Sequence, residues 1–257
     1  MSEASHQGSA VIRNRRQMLK AAGAVAAGVA LVGAFPLSMA NAADDQKKTR
    51  KVLFFTKSSG FQHSVITRKS PDELAYAEKI LIDLGKQHGF DVTASKDGGF
   101  FTPEKLAEFD AVVFYTTGDL TTPGTDKQPP MPKDGKETLI KWVESGKGFL
   151  GLHCASDTFH SHGNEIDPYI KMLGGEFETH HSQEACKIKV ADPNFGPIKD
   201  LANFEFPEEW YILKNFAPDM HVITIQETQS MKQEAYNTLK PYPETWARMQ
   251  GKGRVFY

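Results

Sequence analysis

The stretch Gly148-Phe-Leu-Gly-Leu-His-Cys-Ala155 decides how this chain is read. It begins as a short apolar run, which suits a buried strand. It then passes into Gly151-Leu-His153-Cys-Ala155, a small-x-X-x-small pattern that permits a sharp strand-to-helix turn. In hydrolases and amidotransferases the central position of such an elbow holds Ser or Cys. Here it holds His153, and Cys154 is displaced by one. Adjacent side chains at a strand end point in different directions. Cys154 therefore does not take the nucleophile's place and reads as a small buried residue.

Outward from this stretch the same alternation recurs. Lys51–Thr56 is an apolar run that ends in the polar loop Lys57–His63, and reads as a first strand. Ser70-Pro-Asp-Glu73 offers a cap, a proline for the first helical position and a capping-box carboxylate. Leu74, Ala77, Ile80, Leu81 and Leu84 follow at helical spacing, and Gly89 ends the helix. Phe90–Ala94 is a second strand, Thr102-Pro103 caps a short helix, and Ala111–Thr116 is a third strand. A helix near Glu137–Ser145 precedes the Gly148 strand. Strands apolar on both faces and alternating with helices imply an α/β fold, a three-layer sandwich around a parallel sheet. Ligands in such sheets sit beyond the carboxyl ends of the strands. The site is expected at Thr56–His63, Thr116–Asp119 and His153–His160. In the second half Cys186–Val190, His221–Ile225 and Gly253–Tyr257 read as strands. A buried strand with no covering helix after it suggests a chain that stops short.

The chain has 257 residues, 40% apolar and 24% charged, which excludes a mainly disordered or collagen-like protein. Two cysteines exclude a disulfide-rich scaffold and a four-cysteine zinc site. A Cys154–Cys186 disulfide stays open. Asn14-Arg15-Arg16-Gln-Met-Leu-Lys20 precedes an Ala- and Gly-rich run and the small-x-small site Ala40-Asn41-Ala42. This layout predicts a twin-arginine export signal over residues 1–42, a tether over 43–50 and a domain over 51–257. The expected location is periplasmic or extracellular. The apolar run of about 15 residues is shorter than the ~20 that a span needs, so no stable membrane insertion is expected after cleavage. The formal charge of −2 becomes −5 once the leader is subtracted (26 basic against 31 acidic residues). A mildly acidic body without a basic run argues against nucleic acid and anionic membranes as partners.

Five of the nine histidines fall between residues 153 and 181. A histidine cluster at strand ends has two functional readings, divalent-ion ligation and acid–base work. The strand-end rule places His153 in the ligand crevice, whereas His160, His162 and His181 read as solvated loop histidines. Glu208-Glu209-Trp210-Tyr211 sets carboxylates beside aromatics, a pattern that suits sugar binding or a carboxyl of raised pKa. Asp119 and Asp157 lie at strand ends, and His63 follows Gly60-Phe61.

At these residues the chain resembles the ThuA-like (trehalose-utilisation) family. The carriers are Gly60-Phe61-x-His63, Thr117-Gly-Asp-Leu120, Gly151-Leu-His153-x-Ala-x-Asp157 and Gly174-Gly-x-Phe177-x-x-His180. Glu208-Glu-Trp-Tyr211, Trp246 and Gly251-Lys-Gly-Arg-Val-Phe-Tyr257 complete the set. The resemblance implies a class I glutamine amidotransferase-like fold with a mostly parallel, flavodoxin-like sheet and its cysteine replaced. It also implies a small-residue and Gly-His segment after Tyr257, which this sequence lacks. The implied chemistry is carbohydrate metabolism, particularly of 3-keto-glycosides: elimination or hydrolysis of the glycosidic bond of a small-molecule carbohydrate.

The expected catalytic residues are His153, His180, Glu209 and Asp157, and the expected substrate contacts are His63, Phe61, Asp119 and Tyr211. A divalent metal ion is expected on His153, His180 and Glu209. The competing readings are a non-catalytic sugar-binding protein of the same fold and an amidase or esterase that uses Cys154.

Overall fold

The computed structural model describes residues 49–257. The expected export signal and most of the tether lie outside these residues. Eleven strands form one nine-stranded sheet, in the order β2-β1-β3-β4-β11-β10-β9-β6-β7, and a separate two-stranded ribbon, β5-β8. Its first half is parallel: β1 (Arg50–Phe55) lies between β2 (Phe90–Ser95) and β3 (Ala111–Phe114). Next come β4 (Gly148–Gly151) and β11 (Gly253–Phe256). The order 2-1-3-4 followed by a fifth parallel strand is the flavodoxin-like arrangement, with its switch point between β1 and β3.

The second half is antiparallel and was only partly legible. β10 (Tyr242–Gln250) pairs with β11 and with β9 (His221–Glu227). β6 (Glu184–Val190) and β7 (Phe204–Glu208) continue the sheet. β5 (Glu176–His180) and β8 (Tyr211–Lys214) form the ribbon. Phe204–Glu208 is interrupted by Pro207 and Tyr211–Lys214 is only four residues long, so neither strand was expected.

The parallel half is held by apolar packing: Leu53, Phe55, Val112, Phe114 and Phe149 are buried against Leu139, Val143, Tyr169 and Leu173. The helix after β1 starts later than the capping signal predicted, at Tyr76, and runs to His88. Ser70–Glu73 forms only a turn. Glu78 takes the capping role: its carboxylate accepts from Ala75 N at 2.8 Å and from the Thr56 hydroxyl at 2.6 Å, and makes a two-pronged pair with Arg68. That anchor turns Ile80 and Leu84 toward solvent.

The loops at the strand carboxyl ends are laced together, and this lacing positions the site. Ser59 N donates to Thr117 O at 2.8 Å, and the Thr117 hydroxyl donates to Phe61 O at 2.7 Å. Gly118 N donates to Asp157 O at 2.7 Å, and the Thr116 and Thr158 hydroxyls share a hydrogen bond of 2.8 Å. Gly118 has φ +73°, and a Cβ there would stand 2.6 Å from Gly60 N, so this crossing needs glycine.

Candidate functional site

The predicted elbow is present. β4 ends at Gly151, and a tight 3₁₀ turn follows over His153–Asp157. His153 itself has φ +45°, a left-handed conformation that is strained for a side-chain-bearing residue. Gly151 admits the turn, because a Cβ there would meet Leu173 at 2.8 Å. The Tyr257 hydroxyl donates to His153 O at 2.6 Å and lies 3.0 Å from the Ser156 hydroxyl, so β11 braces the elbow of β4.

Three elements bring functional side chains to His153. His63 arrives from the loop after β1, its ring edge-on to His153 at 5.0 Å between centroids. Tyr115 arrives from the end of β3, 6.0 Å away. Glu209 and Tyr211 arrive from the β7–β8 connection: Glu209 Oε2 lies 3.5 Å from His153 Nε2, and the Tyr211 ring lies against His153 at 4.2 Å. Tyr211 Oη is 3.4 Å from His63 Nε2. Trp210 fixes this connection. Its indole N–H donates to Glu184 O at 2.7 Å, its carbonyl accepts from the Tyr236 hydroxyl at 2.7 Å, and its ring is buried with Ile188, Met231 and Tyr236. Trp210 is thus an anchor that aims its neighbours.

One ligand atom each from His63, His153 and Glu209 lies within 4.8 Å of the others. Two imidazoles and one carboxylate are a donor set that divalent zinc, iron and related ions accept, with coordination positions left open. Burial lowers the pKa of His153 to about 3, and the neighbouring His63 and His180 push the same way. Burial also lowers the pKa of His63, although Glu209 and Asp157 oppose it. Both rings are therefore neutral at physiological pH, with lone pairs available. The 3.5 Å between His153 and Glu209 is too long for a good hydrogen bond, and suits two ligands of one ion with bonds near ~2.1 Å.

The structure regroups the residues expected from sequence. His63, expected as a substrate contact, joins His153 and Glu209 in the three-residue cluster. His180, expected in the ligand set, ends β5 opposite Tyr211, and its Nδ1 stands 3.5 Å from the other Glu209 oxygen. Phe61 is 70% exposed and meets His63 edge-on at 5.0 Å, at the mouth of the site. Asp119 does not reach the site. Its carboxylate accepts from the backbone N–H and the hydroxyl of Thr121, at 2.9 and 2.7 Å, and so serves its own turn. Asp157 turns to His160, whose Nε2 lies 2.6 Å from its carboxylate.

His160 was expected to be solvated. It instead lies between Asp157 and Glu176, and the hydrogen bond with Asp157 raises its pKa. It ties the 3₁₀ turn to the start of β5. Cys154 and Cys186 are both free and buried in separate clusters, so the disulfide does not form. Burial raises the Cys154 thiol well above its ordinary pKa, which removes the basis for a thiolate nucleophile.

A cavity of about 470 Å³ opens beside His153 and Glu209. Tyr115, Tyr211, Phe256 and Tyr257 contribute aromatic wall, and Glu208 and Glu244 contribute carboxyls. Its size and its mix of rings and convergent polar groups suit a small organic ligand. Glu244, Tyr115 and Tyr257 escaped the sequence reading. Tyr115 and Tyr257 end apolar strand runs, where nothing marks which face meets the cavity, and Glu244 lies in the mixed run Tyr242–Gln250, which does not read as a strand.

The trehalose-utilisation family model, ThuA, matches residues 51–257, the whole of the described fold but for two residues. The chain belongs to the ThuA family. The solved structure of a ThuA-like protein from Bacteroides uniformis superposes with a TM-score of 0.61 at 19% identity, over 82% of each chain. A ThuA-like protein from Parabacteroides merdae gives 0.58 at 12% identity, over 81% of this chain and 78% of the other. Among curated proteins, none matches this sequence.

Proposed function

We propose that this ThuA-family protein is an exported enzyme that breaks the glycosidic bond of 3-keto-glycosides by elimination, assisted by a divalent ion. The observation that carries the reading is the convergence of His63, His153 and Glu209 beside an aromatic-walled cavity. The family's link to trehalose utilisation supports a sugar as ligand.

A 3-keto group acidifies the proton at C2, and its removal gives an enolate that can expel the C1 substituent. A divalent ion held by His63, His153 and Glu209 would supply Lewis-acid stabilisation for the developing negative charge. His180 stands against Glu209 at the mouth of the site and is the base that takes the C2 proton. Tyr211 lies between His63, His153 and His180, where its ring gives one face of the sugar a surface to pack on. The strained backbone at His153 holds its imidazole in the crevice rather than against the sheet.

The test is release of free sugar from a 3-keto-disaccharide by the mature protein, with and without a chelator. Chelation is expected to abolish turnover and added ion to restore it. His180→Ala is expected to retain bound ion while losing exchange of the C2 proton with solvent, which separates base from ligand. Tight binding of unmodified glucosides with no turnover in any metal would replace this reading with that of a sugar-binding protein.

A further inference from the structure

β10 does not pair evenly with β9. Its register slips between Pro243 and Thr245 and again between Thr245 and Trp246, which leaves Glu244 as the extra residue of a bulge. Bulges re-aim side chains, and Glu244 lines the cavity that His153 and Glu209 also line. The cavity thus has one wall from the β4 elbow and the β7–β8 connection, and another from the β10 bulge.

Burial and the Glu208 carboxylate both act on Glu244 to raise its pKa, to about 7, and neither is offset by a cation or a hydrogen bond. The other titratable groups that feel its charge are Tyr242 on the same strand, Tyr257 just beyond β11 and Cys186 on β6. None of these is a cation. The Glu244 side chain is only partly buried and has no hydrogen-bond partner among the described residues, so it is free to meet a ligand oxygen in the cavity. His153 and Glu209 line the same cavity, so one sugar held there can meet them and Glu244 together.

We propose that Glu244 is the proton donor to the departing glycosidic oxygen. The assignment rests on the keto-glycoside reading and adds the acid which that elimination needs. The C2–H bond breaks with its proton going to His180, and its electron pair forms the C1=C2 bond. The C1–O bond breaks with its pair going to oxygen, and that oxygen takes the Glu244 proton. The free sugar leaves, Glu244 is left as a carboxylate, and solvent returns its proton as His180 loses one. No oxidant or other reactant enters.

The experiment compares wild type, Glu244→Gln and Glu244→Ala on two 3-keto-glucosides, one with a sugar leaving group and one with a 4-nitrophenolate. Exchange of the C2 proton is followed by NMR. With the sugar leaving group, both variants are expected to fall by about 10²–10⁴-fold. The nitrophenyl glycoside departs without protonation and is expected to react within a few-fold of wild type, as is C2 exchange, which also shows that the variants fold. Equal activity of wild type and Glu244→Gln on both substrates would overturn the role of Glu244 while leaving the function intact. Loss of C2 exchange together with release would also overturn it, since the residue would then support the site as a whole. Absence of both exchange and release in wild type would refute the keto-glycoside reading itself, and this assignment with it.

Discussion

The two halves of the sheet supply the site by different means. The parallel half delivers His63, Tyr115 and His153 from loops that follow buried strands and are laced to one another through Thr117 and Gly118. The antiparallel half and the ribbon deliver Glu209 and Tyr211 from the β7–β8 junction, seated by the Trp210 side chain, and Glu244 from a bulge in β10. In the first case the strand order brings the side chain to the crevice and the lacing of the loops holds it there. In the second, the aim of a carboxylate depends on how one tryptophan is seated.

That contrast can be broken by experiment. The largest expected effect is at the anchor. Trp210→Ala is expected to cost about 3–5 kcal/mol in denaturant unfolding, as large-to-small changes in cores do, and to displace Glu209. If stability falls but ion binding is unchanged, the antiparallel half does not aim its ligand through Trp210. Next come the ligands. His153→Ala and Glu209→Ala, one from each half, are each expected to lower turnover by about 10²–10³-fold and to lose the bound ion in elemental analysis. Unchanged ion content and activity in His153→Ala would remove the central assignment. An effect confined to His153→Ala would locate the whole site in the parallel half.

A smaller effect concerns Glu244. Its folded-state pKa lies above the ordinary carboxylate range, so the folded protein holds this proton more tightly than the unfolded chain does. Stability is then lost as the pH rises from that range through about 7. Glu244→Gln removes the penalty and is expected to unfold about 2 kcal/mol less readily than wild type at pH 8, and equally at pH 4. The same gain at both pH values would mean that the carboxyl is not uncompensated. The smallest effect is at Asp119. Asp119→Ala is expected to lower stability by about 1 kcal/mol through its turn and to leave turnover unchanged. A loss of turnover would return Asp119 to the site.

The same contrast explains what could be read from the sequence. Apolar runs such as Lys51–Thr56 and Gly148–Leu152 announce buried parallel strands, and the strand-end rule then marks His63 and His153 without further information. Asp119 shows where the rule stops: it lies at a strand end, but a threonine two residues on captures its carboxylate. In the second half, the alternation Phe204-Glu-Phe206 is cut after three residues by Pro207, and a bulge at Glu244 shifts side chains between faces in a way that no periodicity displays. Glu209 was visible only as a carboxylate beside aromatics. That its tryptophan neighbour is an anchor, buried with Ile188, Met231 and Tyr236, while its tyrosine neighbour lies against His153, is settled by packing that the sequence does not display.

β11 is the seam of this sheet: it pairs with β4 on one side and β10 on the other, yet it follows both in the chain. During synthesis each half therefore emerges with an unpaired edge, β4 on one and β10 on the other, before the strand that closes both has left the ribosome. Open edges of this kind are where nascent chains pair wrongly with one another. The Tyr257 hydroxyl that braces the His153 elbow arrives with the same strand. Closure of the two edges and bracing of the elbow are thus one event, and a chain stalled before it would present sticky edges and an unbraced elbow together.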